Sequence, residues 1–274
     1  VGPTDQHSTL VATLRAAGCV FAEEEAGVLV EAAAGDAARL AELTGRRVAG
    51  EPLEYVVGWV AFDGHRIRIE PGVFIPRQRT TWLVEVAAQH LPGTGGTLLD
   101  LGCGTGAIGV ALARRCCDLV VHAVDIDPRA VAVARRNLAA FDVHGHAHRG
   151  DLTAPLPTTL RGRVHVIAAN LPYVPSTERA LMPADSRDHE PPATTDGGAD
   201  GLDHVRRLAA QAPGWLRPGG VVLVETGDAS TGQDARAADA FAAVGLQPEI
   251  RYDEARGATA VLGRLGSHGE LRAR

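Results

Sequence analysis

Apolar residues in the first fifty positions return at helical spacing: Leu10 with Leu14 and Ala17, Val28 with Ala32, Leu40 with Leu43. Gly18, Gly35 and Gly45 interrupt them, so three short helices are expected over residues 5 to about 47. From Tyr55 the period changes to two. The run 56–69 carries Asp63-Gly64 at its centre, a strong short signal for a β-hairpin. A proline-punctuated stretch, 70–77, then leads into an amphipathic helix bearing Leu83, Val84, Ala87 and Leu91.

Beyond Gly96 strand and helix patterns alternate. The spacing predicts strands at 97–101, 119–125, 144–149, 164–169 and 220–225, with helices at 106–115, 128–140, 202–212 and 235–244. Such alternation implies an α/β fold: a parallel sheet with helices on both faces. Two closing strands, 247–252 and 258–263, stand too close for a crossover helix and are expected to pair antiparallel. Residues 174–200, rich in Pro, Gly and Asp, read as a long functional loop, and the tail after Gly263 as frayed.

Composition narrows the class. The 274 residues are 45% apolar and 22% charged, as in a soluble globular chain. All 27 basic residues are Arg, which with the heavy Ala and Gly usage reads as GC-rich coding. A net charge of −6 argues against a protein that lives on nucleic acid. No apolar run of about 18 residues and no signal-peptide pattern occurs, so neither membrane spanning nor Sec export is expected. Cys19, Cys103, Cys116 and Cys117 show no C-x-x-C spacing, which points to a reducing cytoplasm. His144, His146 and His148 alternate along a strand; without further ligands they read as a polar strand face, and no metal is expected.

The sharpest local pattern is Asp100-Leu-Gly102-Cys103-Gly104-Thr105-Gly106-Ala-Ile-Gly109, at a strand-to-helix turn. Glycines there let the backbone turn tightly and approach a nucleotide at the carboxyl edge of the sheet. Gly104, Gly106 and Gly109 also spell G-x-G-x-x-G, with Asp125 about 20 residues on, the dinucleotide fingerprint. Asp100 weighs against that ligand, because a carboxylate repels pyrophosphate at a helix start. It favours the ammonium and sulfonium of S-adenosylmethionine. Asp125, followed by Ile126, can accept from two ribose hydroxyls. Asp151 can accept from the adenine amino group, with the Leu152 amide facing the ring. The expected cofactor set is Asp100, Gly102, Cys103, Gly104, Thr105, Gly106, Asp125, Ile126, Asp151, Leu152 and Asn170.

The strand at 164–169 runs into Asn170-Leu171-Pro172-Tyr173, which a parallel sheet lands beside the glycine loop. The Asn170 side-chain oxygen and the Leu171 carbonyl can each accept one N–H of a planar nitrogen, fixing it in line with a methyl donor. Pro172 stiffens the turn and Tyr173 offers an aromatic wall. An Asn-x-Pro turn is common by itself; it informs only behind the glycine loop and the two acids.

The tetrapeptide resembles the Asn-Pro-Pro-Tyr motif of amino-methyltransferases acting on planar nitrogens. These include adenine DNA methyltransferases and the glutamine methyltransferases of peptide-chain release factors (the HemK type). The second group is favoured by Gly50-Glu-Pro-Leu-Glu-Tyr55, Gly72-Val-Phe-Ile-Pro-Arg77, Val124-Asp-Ile-Asp-Pro128, His189-Glu-Pro191 and Gly197-Gly-Ala-Asp-Gly-Leu202. The resemblance runs from about residue 50 to 262. It implies a helical domain 1–52, a hairpin linker 53–76 and a class I methyltransferase domain 77–264, with a flexible tail 265–274. The implied sheet has seven strands in the order 3-2-1-4-5-7-6, strand 7 antiparallel.

It further implies methyl transfer from S-adenosylmethionine to a glutamine amide on a release factor; a monomer without direct nucleic-acid or membrane contact is expected. Asn170, Leu171, Pro172 and Tyr173 would be catalytic, and Phe74 and Glu190 would join them in holding substrate. Two departures stand out. Leu171 replaces a Pro, and Gln78-Arg79-Thr80-Thr81 stands where the family continues Pro-(Asp/Glu)-Thr-Glu, so two acids are absent and an Arg appears. A small-molecule amide or amine, adenine in DNA and a non-catalytic binding module stay open as alternatives. The loop 174–201 is expected to act as a lid, with Arg187, Asp188 and Glu190 as its latch.

Overall fold

Helices α1 (Pro3–Ala16), α2 (Ala22–Ala33) and α3 (Ala37–Val48) form where the apolar period places them. Asp36 starts α3 by accepting the N–H groups of Ala38 and Arg39, at 2.9 and 3.0 Å. The three helices bury Leu10, Leu14, Leu29 and Leu43 in a core of their own. The computed structural model describes residues 3–182, 189–227 and 229–267.

The next segment departs from the expected extended run. Residues Leu53–Val57 form a one-turn helix, α4, which begins after Pro52 and ends at Gly58 in the left-handed region, φ +81°. A single turn is too short to leave a helical period in the sequence. Strands β1 (Trp59–Phe62) and β2 (His65–Arg68) then pair antiparallel around Asp63 and Gly64. Both turn residues have positive φ, +50° and +76°, which matches the right-handed twist of the two strands.

Val60, Phe62 and Ile67 of this hairpin pack into the same core as Leu98 and Val121 of the large sheet. The Asn137 side chain fastens it there. It accepts the Arg68 N–H at 3.0 Å and donates to the carbonyls of Arg68 at 2.9 Å and Thr105 at 2.8 Å. A buried polar side chain satisfied in this way stiffens the contact.

The remaining elements are α5 (Thr81–Ala88), β3 (Thr97–Leu101), α6 (Ala107–Ala113), β4 (Val120–Asp125), α7 (Pro128–Ala140), β5 (Gly145–Arg149), β6 (Val164–Ala169), α8 (Asp203–Gln211), β7 (Leu216–Thr226), α9 (Gln233–Ala243), β8 (Gln247–Asp253) and β9 (Ala258–Arg264). The sheet order is β5-β4-β3-β6-β7-β9-β8. Only β9 runs antiparallel to its neighbours, β7 and β8, within this sheet. Counted from β3, this is the 3-2-1-4-5-7-6 arrangement of class I methyltransferases. One face of the sheet packs Leu98, Val121 and Val166; the other packs Leu99, Ile167, Leu208 and Phe241.

The expected strands and helices are present, with β7 extending back to Leu216. On β4 and β5 the histidines gather: His122 Nδ1 and His148 Nε2 lie 3.0 Å apart, and the His146 ring lies 5.3 Å from that of His122. No helix among the described residues is long and apolar enough to cross a membrane. The strand order reverses between the parallel neighbours β3 and β6, which opens a crevice at their carboxyl ends.

Candidate active site

That crevice is a cavity of about 820 Å³, within the range of small-molecule sites. Its first end is built by β3, β4 and the glycine loop. Gly102 and Gly104 turn the chain with φ +66° and +52°, and a Cβ at Gly102 would meet Leu171 Cδ2 at 3.0 Å. Asp125, ending β4, is held by backbone on both oxygens. Gly104 N–H donates to Oδ2 at 2.8 Å and Asp127 N–H to Oδ1 at 2.9 Å. Burial raises the Asp125 pKa and these two N–H groups oppose the rise. Ile126 beside it is 65% exposed and lines the cavity with Gly102, Gly104, Asp125, Asp151 and Leu152. Asp151 sits at the mouth, paired with Arg207 of α8.

Four members of the expected cofactor set lie behind this wall and not on it. Asp100 is fully buried; its Oδ2 accepts the Gly109 N–H at 3.0 Å, and its Oδ1 has no partner. Burial pushes its carboxyl up to about 7. It supports the first turn of α6 from beneath, and the expected contact with a bound cation is not what its position offers. Cys103 and Thr105 are buried, Thr105 with its carbonyl on Asn137. Gly106 packs on α7, where a Cβ would lie 3.2 Å from that of Ala134.

The second end is lined by Asn170, Leu171, Pro172 and Tyr173, which follow β6, and by Phe74 from the proline segment. The Arg77 guanidinium lies 5.0 Å over the Phe74 ring. Leu171 is mostly buried, its side chain against Gly102. Glu190 is placed differently from expectation. It is buried outside the large cavity, beside a smaller one of about 330 Å³ that also touches α2. Its carboxylate takes the Ile75 N–H at 3.1 Å and the Arg77 Nη2 at 2.7 and 2.6 Å. It holds the proline segment in place and does not line the large cavity. Burial raises its pKa against the pull of Arg77. Arg187 and Asp188, expected as latch partners, lie outside the described residues. The flanks of that loop are tied together: Val174 N–H donates to Thr195 O at 3.0 Å, and Gly197 N–H to Val174 O at 2.9 Å.

Comparison with known proteins places the chain. The Methyltransferase small domain family matches residues 65–182. The release factor glutamine methyltransferase of Moorella thermoacetica is 40% identical over 209 residues, covering 75% of this chain and 70% of that protein. The chain belongs to the release factor glutamine methyltransferase family. The family member of Geobacter sulfurreducens is 37% identical over 185 residues, 68% of this chain; the match spans 64% of that relative's length. A solved methyltransferase of Pyrococcus furiosus shares the fold at a TM-score of 0.54 and 17% identity, covering 74% of this chain and 90% of that one.

Within this family's frame, the residues that sequence reasoning left unassigned cluster around Tyr173. Arg79, noted only as a departure, lines the cavity and donates its Nε to Glu225 Oε1 at 3.1 Å and its Nη2 to the Tyr173 hydroxyl. Tyr173 in turn donates to Glu225 Oε1 at 3.2 Å. Thr80 Oγ1 accepts from Asn170 Nδ2 at 3.2 Å. Glu225 is 3% exposed at the end of β7, and burial raises its pKa, opposed by Thr80, Arg79 and Tyr173. An acid ending an otherwise apolar strand, Val221 to Val224, was the one signal that could have found it. Burial beside Glu225 also lifts the Tyr173 phenol far above its usual range, so it stays protonated.

Proposed function

We propose that this chain transfers a methyl group from S-adenosylmethionine to the side-chain amide nitrogen of a glutamine in a release factor, acting in the cytoplasm as a monomer. The observation that carries this is the placement of Asn170 to Tyr173 and Asp125 on one cavity of about 820 Å³. The names of the relatives support the same acceptor.

The residues present fit the cofactor. Each oxygen of Asp125 accepts one backbone N–H and keeps a further lone pair, enough for two neighbouring hydroxyls. Ile126 gives an apolar shelf and Leu152 a second, with Asp151 at the mouth for an amino group. Gly102 and Gly104 leave room for close approach. When bound, S-adenosylmethionine supplies a methyl group on a positively charged sulfur.

The chain's own residues then act on the acceptor. Asn170 Oδ1 and the Leu171 carbonyl accept the two amide N–H groups and hold the nitrogen in line. Accepting a hydrogen bond from each N–H raises electron density on a nitrogen whose lone pair is delocalised. Tyr173 and Phe74 confine the amide plane. The acceptor nitrogen would take the methyl group that the cofactor supplies and then lose its amide proton to solvent, so no strong base is required of the chain. This reading divides the chain into a helical unit 1–52, a hairpin 53–76 and a methyltransferase unit 77–264.

The test is methyl transfer to a purified release factor, with mass spectrometry locating the modified residue. A methylated glutamine is the expected outcome. Tight cofactor binding with no transfer to any glutamine of the release factor would overturn the proposal, and transfer to a small amide instead would replace the acceptor.

A further inference from the structure

The tetrapeptide after β6 is anchored unevenly. Ala169, the last residue of the strand, is paired with Leu101 on one side and Val224 on the other. Past it, the backbone of Leu171 and Pro172 makes no hydrogen bond among the described residues. That leaves the Leu171 carbonyl open to an acceptor amide, and it also leaves the direction of that carbonyl to be set from outside. The span is short and stiff: the Pro172 ring locks its own φ, and a residue before proline is confined to extended backbone. Whatever holds Tyr173 therefore aims the Leu171 carbonyl.

We propose that Gln233, the first residue of α9, is a positioning residue for methyl transfer: it fixes the Tyr173 main chain and, through it, the Leu171 carbonyl. The inference rests on the methyltransferase reading above. Gln233 is 2% exposed and does not line the cavity. Its Nε2 donates to the Tyr173 carbonyl at 2.8 Å and to the Asp200 carbonyl at 3.1 Å, and its Oε1 accepts the Gly227 N–H at 3.0 Å. Both amide hydrogens and the oxygen are thus engaged by backbone. Turned over, the amide would set its oxygen against two carbonyls and its NH2 against an N–H. One orientation alone satisfies all three partners, and a buried amide satisfied in this way is rigid.

Three segments meet on this amide: the end of the tetrapeptide, the glycine-rich stretch 197–202 and the residue after β7. The glycine stretch, which the reaction itself does not use, acquires a role here. Gly201 has φ +80°, and a Cβ on it would lie 2.2 Å from both the Tyr173 oxygen and Gln233 Nε2. Only glycine lets this backbone come close enough to share the amide. The Tyr173 hydroxyl is held separately, by Arg79 and Glu225. Main chain and ring tip are fixed from different elements, so losing Gln233 frees the first and leaves the second in place.

The chain has three tyrosines, Tyr55, Tyr173 and Tyr252, which allows a direct test on the full protein. With tyrosine labelled by 13C at the carbonyl, three signals are read in the parent, Gln233→Met and Gly227→Ala. Gln233→Met keeps the length of the side chain and removes its amide. Gly227→Ala pushes on the Gln233 oxygen, which a Cβ there would approach to 2.7 Å, and removes no donor. The Tyr173 signal is expected to shift in both variants, further in Gln233→Met. The Tyr55 carbonyl, held by Arg46 at 3.1 Å, should stay in place and report an intact fold. Single-turnover methylation of the release factor should fall about 10- to 100-fold in Gln233→Met and less in Gly227→Ala, with cofactor Kd within about twofold. A merely structural role would lower Tm and leave turnover per folded molecule at the parental value. Parental turnover or an unmoved Tyr173 signal in folded Gln233→Met overturns the proposal; should that variant not fold, Gly227→Ala decides by the same two readouts. A parent that methylates no glutamine of the release factor, while its Tyr173 signal still moves in Gln233→Met, overturns the acceptor assignment and upholds the anchoring, so the two failures are separable.

Discussion

At one end of the large cavity backbone does the holding: Asp125 takes the N–H groups of Gly104 and Asp127, 21 and 2 residues away. At the other end side chains do it. Arg79 reaches Glu225 across 146 residues of sequence, and Arg77 reaches Glu190 across 113. A backbone-built end changes little when neighbouring side chains change, provided the glycines remain. A side-chain-built end can be retuned by one substitution, and Arg79 and Leu171 are changes of that sort. On the proposed reading the backbone-built end holds the cofactor and is the part less open to change, and the side-chain-built end holds the acceptor and is the adjustable part.

The largest expected effect lies at the adjustable end. Asn170→Ala removes the amide acceptor and should lower kcat by about 100- to 1,000-fold, with cofactor affinity nearly unchanged. Single-turnover rates, calorimetry and Tm on one preparation check it; a stable variant with parental turnover would sink the assignment. At the backbone-built end, Asp125→Ala should weaken S-adenosylmethionine binding by about 2–4 kcal/mol. It should also lower Tm, because two N–H groups lose their acceptor. Calorimetry that finds parental affinity would show the contrast to be misplaced.

Glu190→Gln sharpens the division, since Glu190 supports the acceptor wall from outside the cavity. It keeps an acceptor for Ile75 but loses the charge opposite Arg77, which is itself part-exposed. A stability loss of about 1–3 kcal/mol is expected in denaturant titration, with acceptor KM raised and cofactor Kd unmoved.

The smallest effect is one of pH, arising on β4 and β5 away from the cavity lining. Burial and the neighbouring imidazoles of His148, His146 and His144 hold His122 down to about 4. His148 is lowered by burial, by His146 and by Arg135. In the unfolded chain these groups titrate near 6.5. Stability is therefore complete above about pH 6.5. It declines as pH falls toward 4, where the unfolded chain takes up protons that the fold refuses. A loss on the order of 1–2 kcal/mol is expected over that window. Tm measured against pH should flatten in His122→Val, and an unchanged slope would exclude the cluster as its cause.

The backbone-built end was also the legible one. From Thr97 to Leu152 strand, glycine turn and helix follow one another locally, so periodicity and loop chemistry suffice to place Gly102, Gly104, Asp125 and Asp151 on one edge. Asp100 escaped correct placement because its sequence position does not reveal that its side chain turns beneath the loop. The tetrapeptide was legible as a motif, and its supports were not. Arg79 meets Glu225, Arg77 meets Glu190 and Thr80 meets Asn170 only after distant segments fold together, and a charged residue carries no periodic mark of its future partner. Helix α4 was missed for the opposite reason, a single turn between Pro52 and Gly58 being too brief to show a period.

The seating of the β1–β2 hairpin bears on how such enzymes can be recombined. One carboxamide, that of Asn137, joins the hairpin's last strand to the carbonyl of Thr105 in the glycine loop. A chimaera that imports foreign leading helices should therefore be spliced near Gly58, so that Val56, with Leu53 and Val57, stays with the helical core and the hairpin stays with the sheet. A splice after Arg68 would separate Phe62 and Ile67 from the sheet they cover and leave Asn137 facing a strand it was not matched to. Parts exchange between relatives is governed here by the Asn137 amide together with the apolar side chains that the hairpin buries on the sheet.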